Sequence, residues 1–205
     1  MPNRLTMPIG EAMFTQRAIR KLKPDPISVE DLHLIIDAAQ KAPNGGNQQP
    51  ARFVVLHDKA LIAEFGKLYH EAWWAKRADE GIQSKEDFPE GHRTHYHAAQ
   101  LADEMKDAPA IILACSIRPN TENSVFPPVQ NLLLAARALG IGTTLTTLHA
   151  KVMDRVHVLL DIPKEVQIYC CIPLGYPRGN FGPTKRLPSA EITSYNKWGD
   201  APPWA

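Results

Sequence analysis

Two arginines near the start of the chain have a spacing suited to an anionic ligand. The stretch TQRAIRKLK places Arg17 and Arg20 three residues apart, on one face if this segment is helical or turn-like. Guanidinium groups donate paired hydrogen bonds to phosphate oxygens. The spacing therefore predicts contacts to a phosphate and to a second anionic group on the same ligand. An ordinary solvated basic face explains this stretch equally well when it is taken alone.

A second basic pair lies near the other end of the chain. The stretch GPTKRLP places Lys185 and Arg186 between prolines, which stiffen the backbone and would hold a cation in position. This pair predicts a further contact to an anion. The alternative interpretation is a basic tail in solvent.

An amide-rich loop, APNGGNQQPARF, lies between these two stretches at residues 42–53. Its two adjacent glycines allow the backbone to come close to a ligand. Its side-chain amides offer both donors and acceptors, which suits a planar heterocycle better than a simple anion. These amides belong to Asn44, Asn47, Gln48 and Gln49.

Other familiar catalytic patterns are absent from the sequence. There is no G-x-S-x-G, C-x-x-C, H-E-x-x-H or phosphate-loop motif. The stretch GIGTTL at 140–145 follows a helical pattern and lacks the third glycine of a dinucleotide fingerprint. No protein nucleophile is therefore predicted.

Histidine and cysteine offer little for a metal site. The stretch GHRTHYH contains His92, His95 and His97, but no cysteine or carboxylate pattern completes a ligand set, so solvated loop histidines are favoured. The three cysteines lie in apolar runs and are expected to be small buried hydrophobes, two of them pointing to opposite faces of one strand. No metal is predicted.

The elements that must position these residues follow from hydrophobic periodicity. Helices are predicted in ISVEDLHLIIDAAQKAP, with Ser28 as N-cap, and after a possible cap at Asp58. A further helix is expected to begin at the prolines of PPVQNLLLAARALG, and buried strands are expected in ARFVVLHD, AIILACSI and VQIYCCIPLGYP. The polar stretch from 81 to about 95 predicts a mobile excursion or lid. This map alone suggests a layered α/β domain.

Composition restricts the class of protein. The chain has 205 residues, 44% of them hydrophobic, and no long linker, which predicts a single domain spanning 1–205. A net charge of +1 gives no field that would favour nucleic acid, so small molecules are the expected partners. The sequence has no apolar run long enough for a membrane span and no signal-peptide pattern, so a soluble, cytoplasmic protein is expected.

Four stretches in this order resemble the FMN-dependent nitroreductase family: QRAIRKLKPDPIS, AAQKAPNGGNQQPARFVVL, PVQNLLLAARALGIGT and IPLGYP with GPTKRLP. The resemblance extends from Arg17 to Trp198. It implies an α+β fold with a central mixed sheet surrounded by helices, assembled as an intertwined homodimer. One FMN would lie at each end of the dimer interface, with both subunits contributing to each pocket.

The resemblance also assigns roles to the basic residues. Arg17 would hold the FMN phosphate, and Arg20 would reach the pyrimidine edge of the flavin and stabilise negative charge there. Ala18 replaces a serine that is usual in the family, which removes one phosphate hydrogen bond. Arg186, together with Lys185, matches the C-terminal phosphate-binding cation.

The loop residues and a threonine pair complete the implied site. The partner subunit would lay the loop against the flavin ring, and the threonines would contact the flavin near N5. Ala51 stands where many members carry tryptophan, which would widen the local packing. The loop positions are Pro43, Asn44, Gly45 and Asn47, and the threonines are Thr146 and Thr147.

The implied activity is an NAD(P)H-dependent flavin oxidoreductase. NADH or NADPH would pass hydride to flavin N5, and an electron-poor acceptor, such as a nitroaromatic, a quinone or an enone, would then take its place on the same face, which predicts ping-pong kinetics. The alternative is a non-catalytic flavin-binding protein for storage or sensing. The aromatic C-terminal stretch at 194–205 is expected to pack on the partner subunit.

Overall fold

The computed structural model describes residues 4–205, in which six α-helices surround one four-stranded sheet. This arrangement confirms the predicted α+β class. In chain order the elements are α1 (Ile9–Thr15), α2 (Val29–Ala39), β1 (Ala51–Leu56), α3 (Lys59–Asp79), α4 (Arg93–Glu104), β2 (Ala110–Ser116), α5 (Glu122–Ala138), β3 (Gly142–Thr143), α6 (Ala150–Leu159) and β4 (Gln167–Gly175).

The sheet has the strand order β1-β2-β4-β3, and each neighbouring pair is antiparallel. The prediction of a mixed sheet is therefore wrong for these four strands. Within residues 4–205, the parallel pairing is limited to a single bridge between Ala18 and Thr143. Two helices, α3 and α4, separate β1 from β2, and such a pair can return the chain to the end at which β1 finished.

The two central strands are buried on both faces because helices cover the sheet on both sides. Ile111, Leu113 and Cys115 of β2 face a core shared with α3, α4 and α6. The alternate residues of β2 face a second core shared with α2 and α5. As predicted, Cys170 and Cys171 point to opposite faces of β4, since each belongs to a different core.

Local signals in the sequence determine where two helices begin. The Ser28 hydroxyl accepts the backbone N–H of Asp31 at 3.1 Å, and the Asp58 carboxylate accepts that of Leu61 at 2.8 Å. Both contacts satisfy amides that a helix cannot pair internally, so both predicted caps are confirmed.

Two predicted boundaries are wrong. Helix α5 begins at Glu122, and Pro127 lies inside it. Burial of the apolar side of α5 outweighs the backbone hydrogen bonds that its prolines cannot make. The polar excursion is also shorter than predicted, because α4 already begins at Arg93. Between α3 and α4 the chain is anchored by Phe88, which is buried against Trp73 and Trp74.

Across residues 4–205, no helix combines the length and the apolar character that crossing a membrane requires.

Candidate functional site

The basic N-terminal stretch runs as an extended segment along the β3 edge of the sheet. The backbone N–H of Ile19 donates to the carbonyl of Thr143 at 2.8 Å, and the Thr144 hydroxyl donates to the carbonyl of Ile19 at 2.6 Å. A Cβ on Gly142 would lie only 2.7 Å from Ile19 Cγ2, so this close approach requires glycine. The helical or turn-like conformation that would place Arg17 and Arg20 on one face is not formed, because these backbone pairs hold the segment extended.

Extension separates the environments of the two arginines. Arg17 and Ala18 are exposed, whereas Arg20 is half-buried. Burial lowers the pKa of the Arg20 guanidinium, and the neighbouring positive charge of Arg17 lowers it further. Among residues 4–205, neither arginine has a carboxylate within 4.0 Å. A half-buried cation without an anionic partner in its own chain is suited to an anion from a ligand.

Tyr69 lies close enough to Arg20 for their charges to interact, and it contacts Thr146. The Tyr69 hydroxyl, on α3, lies 2.9 Å from the Thr146 hydroxyl, and the phenol is 1% exposed. Burial raises the pKa of Tyr69 far above its ordinary value, so the phenol stays neutral and remains a donor. The structure therefore brings together two of the predicted site residues, Arg20 and Thr146, through a tyrosine.

The backbone of Thr146 is also fixed to the sheet. Its N–H donates to the carbonyl of Cys171 at 3.0 Å, and the N–H of Cys171 donates back at 2.8 Å. Thr147 follows directly and is exposed. The segment that carries the two threonines thus leaves the sheet beside Arg20, with one threonine anchored and the other presented to solvent.

The amide-rich loop has a firm base and an exposed tip. Asn44 Oδ1 accepts the backbone N–H of Gln49 at 2.8 Å, and the N–H of Gly45 donates to Ser124 Oγ at 3.1 Å. Asn47 has a left-handed backbone with φ 52°. Pro43, Gly45 and Asn47 are exposed and Asn44 is half-buried. The tip therefore presents the Asn47 amide and the glycine backbone outward, whereas the other side-chain amides form hydrogen bonds within the loop or with Arg118.

The loop and Arg20 lie at opposite edges of the sheet. The loop leads into β1, whereas the Arg20 segment pairs with β3, and β1 and β3 are the two edge strands. Three strand spacings separate these edges by about 14 Å. One chain alone therefore does not bring the two groups of predicted site residues together.

Lys185 and Arg186 lie in the C-terminal tail and are both exposed. The Arg186 guanidinium donates to the carbonyl of Lys185 at 2.9 Å. Within the part of the chain that the structure describes, no hydrogen bond links 182–187 to another region. The tail thus presents its two cations to solvent. Ala51, at the start of β1, is half-buried opposite Ser116.

Residues 14–176 match the model of the nitroreductase family, which covers most of the chain. The chain belongs to the nitroreductase family. Its members are oxidoreductases, and the match includes the Arg20 segment, the amide-rich loop and the threonine pair.

Two curated relatives show how varied similar chains are. A protein named NADH dehydrogenase from Thermus thermophilus is 27% identical over 201 residues, covering 91% of this chain and 97% of the relative. An iodotyrosine deiodinase from Thermotoga neapolitana is 27% identical over 185 residues, covering 88% of this chain and 94% of the relative.

A solved structure of an iodotyrosine deiodinase with FMN and 3-iodo-L-tyrosine confirms the nitroreductase-like fold. It superposes with a TM-score of 0.71 at 22% identity, covering 93% of this chain and 99% of the other.

Two of the three histidines at 92–97 contact each other. The rings of His92 and His95 stack with centroids 5.3 Å apart, but no group of three metal-ligating side chains occurs among residues 4–205. Burial lowers the pKa of His97, and the positive charges of Lys21 and Arg20 lower it further. This histidine is therefore driven towards its neutral form.

Sequence reasoning missed the roles of Tyr69 and Ser124. Tyr69 lies on the apolar face of α3, where helical spacing predicts core, and it belongs to the core. Its hydroxyl touches Thr146, which is 77 residues away in sequence. Ser124 contacts the loop across 79 residues. No local pattern reports such distant contacts.

Proposed function

We propose that this protein is an FMN-dependent oxidoreductase that takes hydride from NADH or NADPH and reduces an electron-poor acceptor. The observation that carries the proposal is Arg20, a half-buried cation with no carboxylate within 4.0 Å among residues 4–205. Membership of the nitroreductase family and the FMN found in a structure of the same fold support it.

The residues present fit this cofactor. FMN is itself an anion, and the Arg20 segment has cations to pair with it. When bound, FMN supplies two-electron chemistry, accepting hydride at N5 and giving it up to the acceptor. No fingerprint for a second nucleotide accompanies the site, so FMN is proposed in preference to FAD.

Each candidate residue has a proposed role in binding. Arg17 and the tail cations Lys185 and Arg186 pair with the phosphate, which is a charge-assisted contact. Ala18 leaves one phosphate hydrogen bond to its own backbone or to water. Arg20 donates to the pyrimidine edge and stabilises negative charge there, since a fixed cation beside a developing anion lowers its free energy.

The threonines and the loop enclose the ring from two sides. Tyr69 fixes the Thr146 hydroxyl, so Thr146 and Thr147 present polar groups near N5. The loop residues cover the ring from a second copy of the chain, which makes a homodimer the active unit. The distance between the two sheet edges supports this arrangement, because one chain cannot supply both parts. The loop residues are Pro43, Asn44, Gly45 and Asn47.

The acceptor is proposed as a class. Nitroaromatics, quinones and enones all accept hydride together with a proton from water. Neither the hydride transfer nor the protonation needs a protein nucleophile. The similarity to proteins named iodotyrosine deiodinase makes an iodinated phenol a necessary member of any panel of acceptors.

An absorption spectrum followed by anaerobic mixing with NADH or NADPH tests the proposal. We expect bound flavin that heat releases as FMN, that either nicotinamide bleaches, and that a quinone reoxidises with parallel double-reciprocal lines. Flavin that never bleaches would instead favour storage or sensing. A protein that binds no flavin would refute the proposal.

A further inference from the structure

Arg137, near the C-terminal end of α5, is a buried arginine to which the proposed reaction assigns no role. Its Nε donates to Thr15 Oγ1 at 2.8 Å, and one of its terminal nitrogens lies 3.4 Å from Glu11 Oε1. Its guanidinium carbon lies 4.2 Å from the centre of the Phe181 ring. One side chain therefore contacts both the end of α1 and the start of the C-terminal tail.

These contacts lie just before the predicted phosphate-binding cations. Thr15 is two residues before Arg17, and Phe181 is five residues before Arg186. An extended chain advances at most about 3.6 Å per residue, so Arg17 stays within about 7 Å and Arg186 within about 18 Å of these contacts, measured between Cα atoms. Both segments are thus tethered to the same side chain.

Phe181 is the point at which the tail is fixed before its cations. It packs against the core that covers one face of the sheet, whereas the residues from 182 to 205 form no hydrogen bond to another region of the described chain. Loss of this contact would therefore free the tail cations without disturbing the core strands.

An arginine suits this position because its guanidinium offers two kinds of contact at once. The planar group donates hydrogen bonds within its plane while its face covers an aromatic ring. Lysine can keep the charge but cannot form both contacts with the same geometry.

We propose that Arg137 is a positioning residue that holds Arg17 and Arg186 within reach of one phosphate group. The inference rests on the proposed FMN site. It concerns the phosphate end of the ligand alone, because Arg137 touches neither Arg20 nor the threonine segment within hydrogen-bond distance among residues 4–205.

Binding of FMN and of riboflavin, measured by fluorescence titration, tests the inference because riboflavin lacks the phosphate. We expect Arg137→Met to weaken FMN binding about tenfold and to leave riboflavin binding within about twofold of wild type. The FMN affinity of Arg137→Lys should lie between those of wild type and Arg137→Met. Phe181→Leu should reduce the preference for FMN because it releases only the tail.

Arg77 provides a matched control. Its side chain is 13% exposed, against 10% for Arg137; it pairs with Glu80 at 2.8 Å, and its guanidinium carbon lies 5.4 Å from the centre of the Trp73 ring. Among residues 4–205, it forms no hydrogen bond to either cation-bearing segment. Arg77→Met should lower the melting temperature without changing the ratio of FMN to riboflavin affinity.

An unchanged ratio of FMN to riboflavin affinity in Arg137→Met would overturn the inference. If both affinities fell equally, the role of Arg137 would be merely structural. If Arg137→Met does not fold, Phe181→Leu decides by the same ratio. Failure of the proposed FMN site has a different signature, because the wild-type protein itself would then bind FMN no more tightly than riboflavin.

Discussion

The two edges of the sheet present predicted site residues in opposite ways. At the β3 edge, Arg20 and Thr146 are partly buried, and backbone pairs and the Tyr69 hydroxyl hold them in place. At the β1 edge, the loop with Asn47 at its tip projects into solvent in a left-handed conformation. Under the proposed function, the first edge forms part of a ligand pocket, and the second covers the pocket of another copy of the chain.

Charge and amide groups have different requirements, which explains this difference. A cation gains most from an anion where water is excluded, so Arg20 needs burial in its own chain. Neutral amides form hydrogen bonds with water, so they can remain exposed at little cost in free energy until a ring covers them. The comparison predicts that damage to the β3 edge weakens the ligand site of the same chain, whereas damage to the loop weakens the site of the partner subunit.

The largest effect is expected from removing the tail after Pro188. The tail carries Trp198, which is 98% exposed, and Trp204, which is 55% exposed, and its hydrogen bonds are internal to the tail. Aromatic surface of this kind favours burial against a partner. Truncation should convert dimer to monomer and remove bound flavin together, as measured by light scattering and absorbance. A truncated dimer with full flavin would exclude the tail from the assembly.

Replacing Arg20 by alanine should have the next largest effect. Loss of a charge-assisted contact is worth about 1.5 to 3 kcal/mol, which corresponds to roughly 10- to 150-fold weaker FMN binding. Lys23→Ala is the control, because Lys23 is exposed and its backbone bond to Tyr176 does not need the side chain. Equal affinities in fluorescence titrations of the two variants would contradict the role of Arg20.

The two tail cations, Lys185 and Arg186, should differ in their contribution to FMN affinity, but by a smaller factor. Arg186→Ala is expected to weaken FMN binding more than Lys185→Ala, because guanidinium pairs with phosphate at two points and ammonium at one. The difference should appear as a several-fold larger dissociation constant at low salt. Identical constants for the two variants would remove the distinction.

Sequence patterns reported local structure well and distant contacts poorly. Ser28 and Asp58 start helices through contacts only three residues away, so their types and spacing were sufficient. The Arg20 segment is extended because Thr143 and Thr144, over 120 positions later, bind its backbone. No nearby residue signals this contact.

The same limit applies to predicting the candidate site from sequence. Residue types indicated an anion contact at Arg20 and a heterocycle contact in the loop. Their placement at opposite edges depends on strand order, which the hydrophobic pattern does not fix. The helical spacing of Tyr69 is typical of a core residue, and its ring does lie in the core. Only its hydroxyl contacts the candidate site.

The smallest effect is expected at the base of the loop. Ser124→Ala removes the acceptor of the Gly45 N–H, which should lower the free energy of unfolding by about 1 kcal/mol. FMN affinity should change little, because the loop tip stays exposed. A loss of affinity as large as that of Arg20→Ala would show that the loop geometry is not independent of the β3 edge.

Mixed dimers test most directly whether one site combines the Arg20 edge of one chain with the loop of another. One chain would carry Arg20→Ala and the other Asn44→Ala with Asn47→Ala, each with its own affinity tag. One of the two sites then receives every substitution and the other receives none. The mixed dimer should therefore bind FMN at half of its sites with wild-type affinity, although each parent dimer binds weakly. A mixed dimer with weak binding at every site would place Arg20 and the loop of one chain in the same pocket and contradict the account.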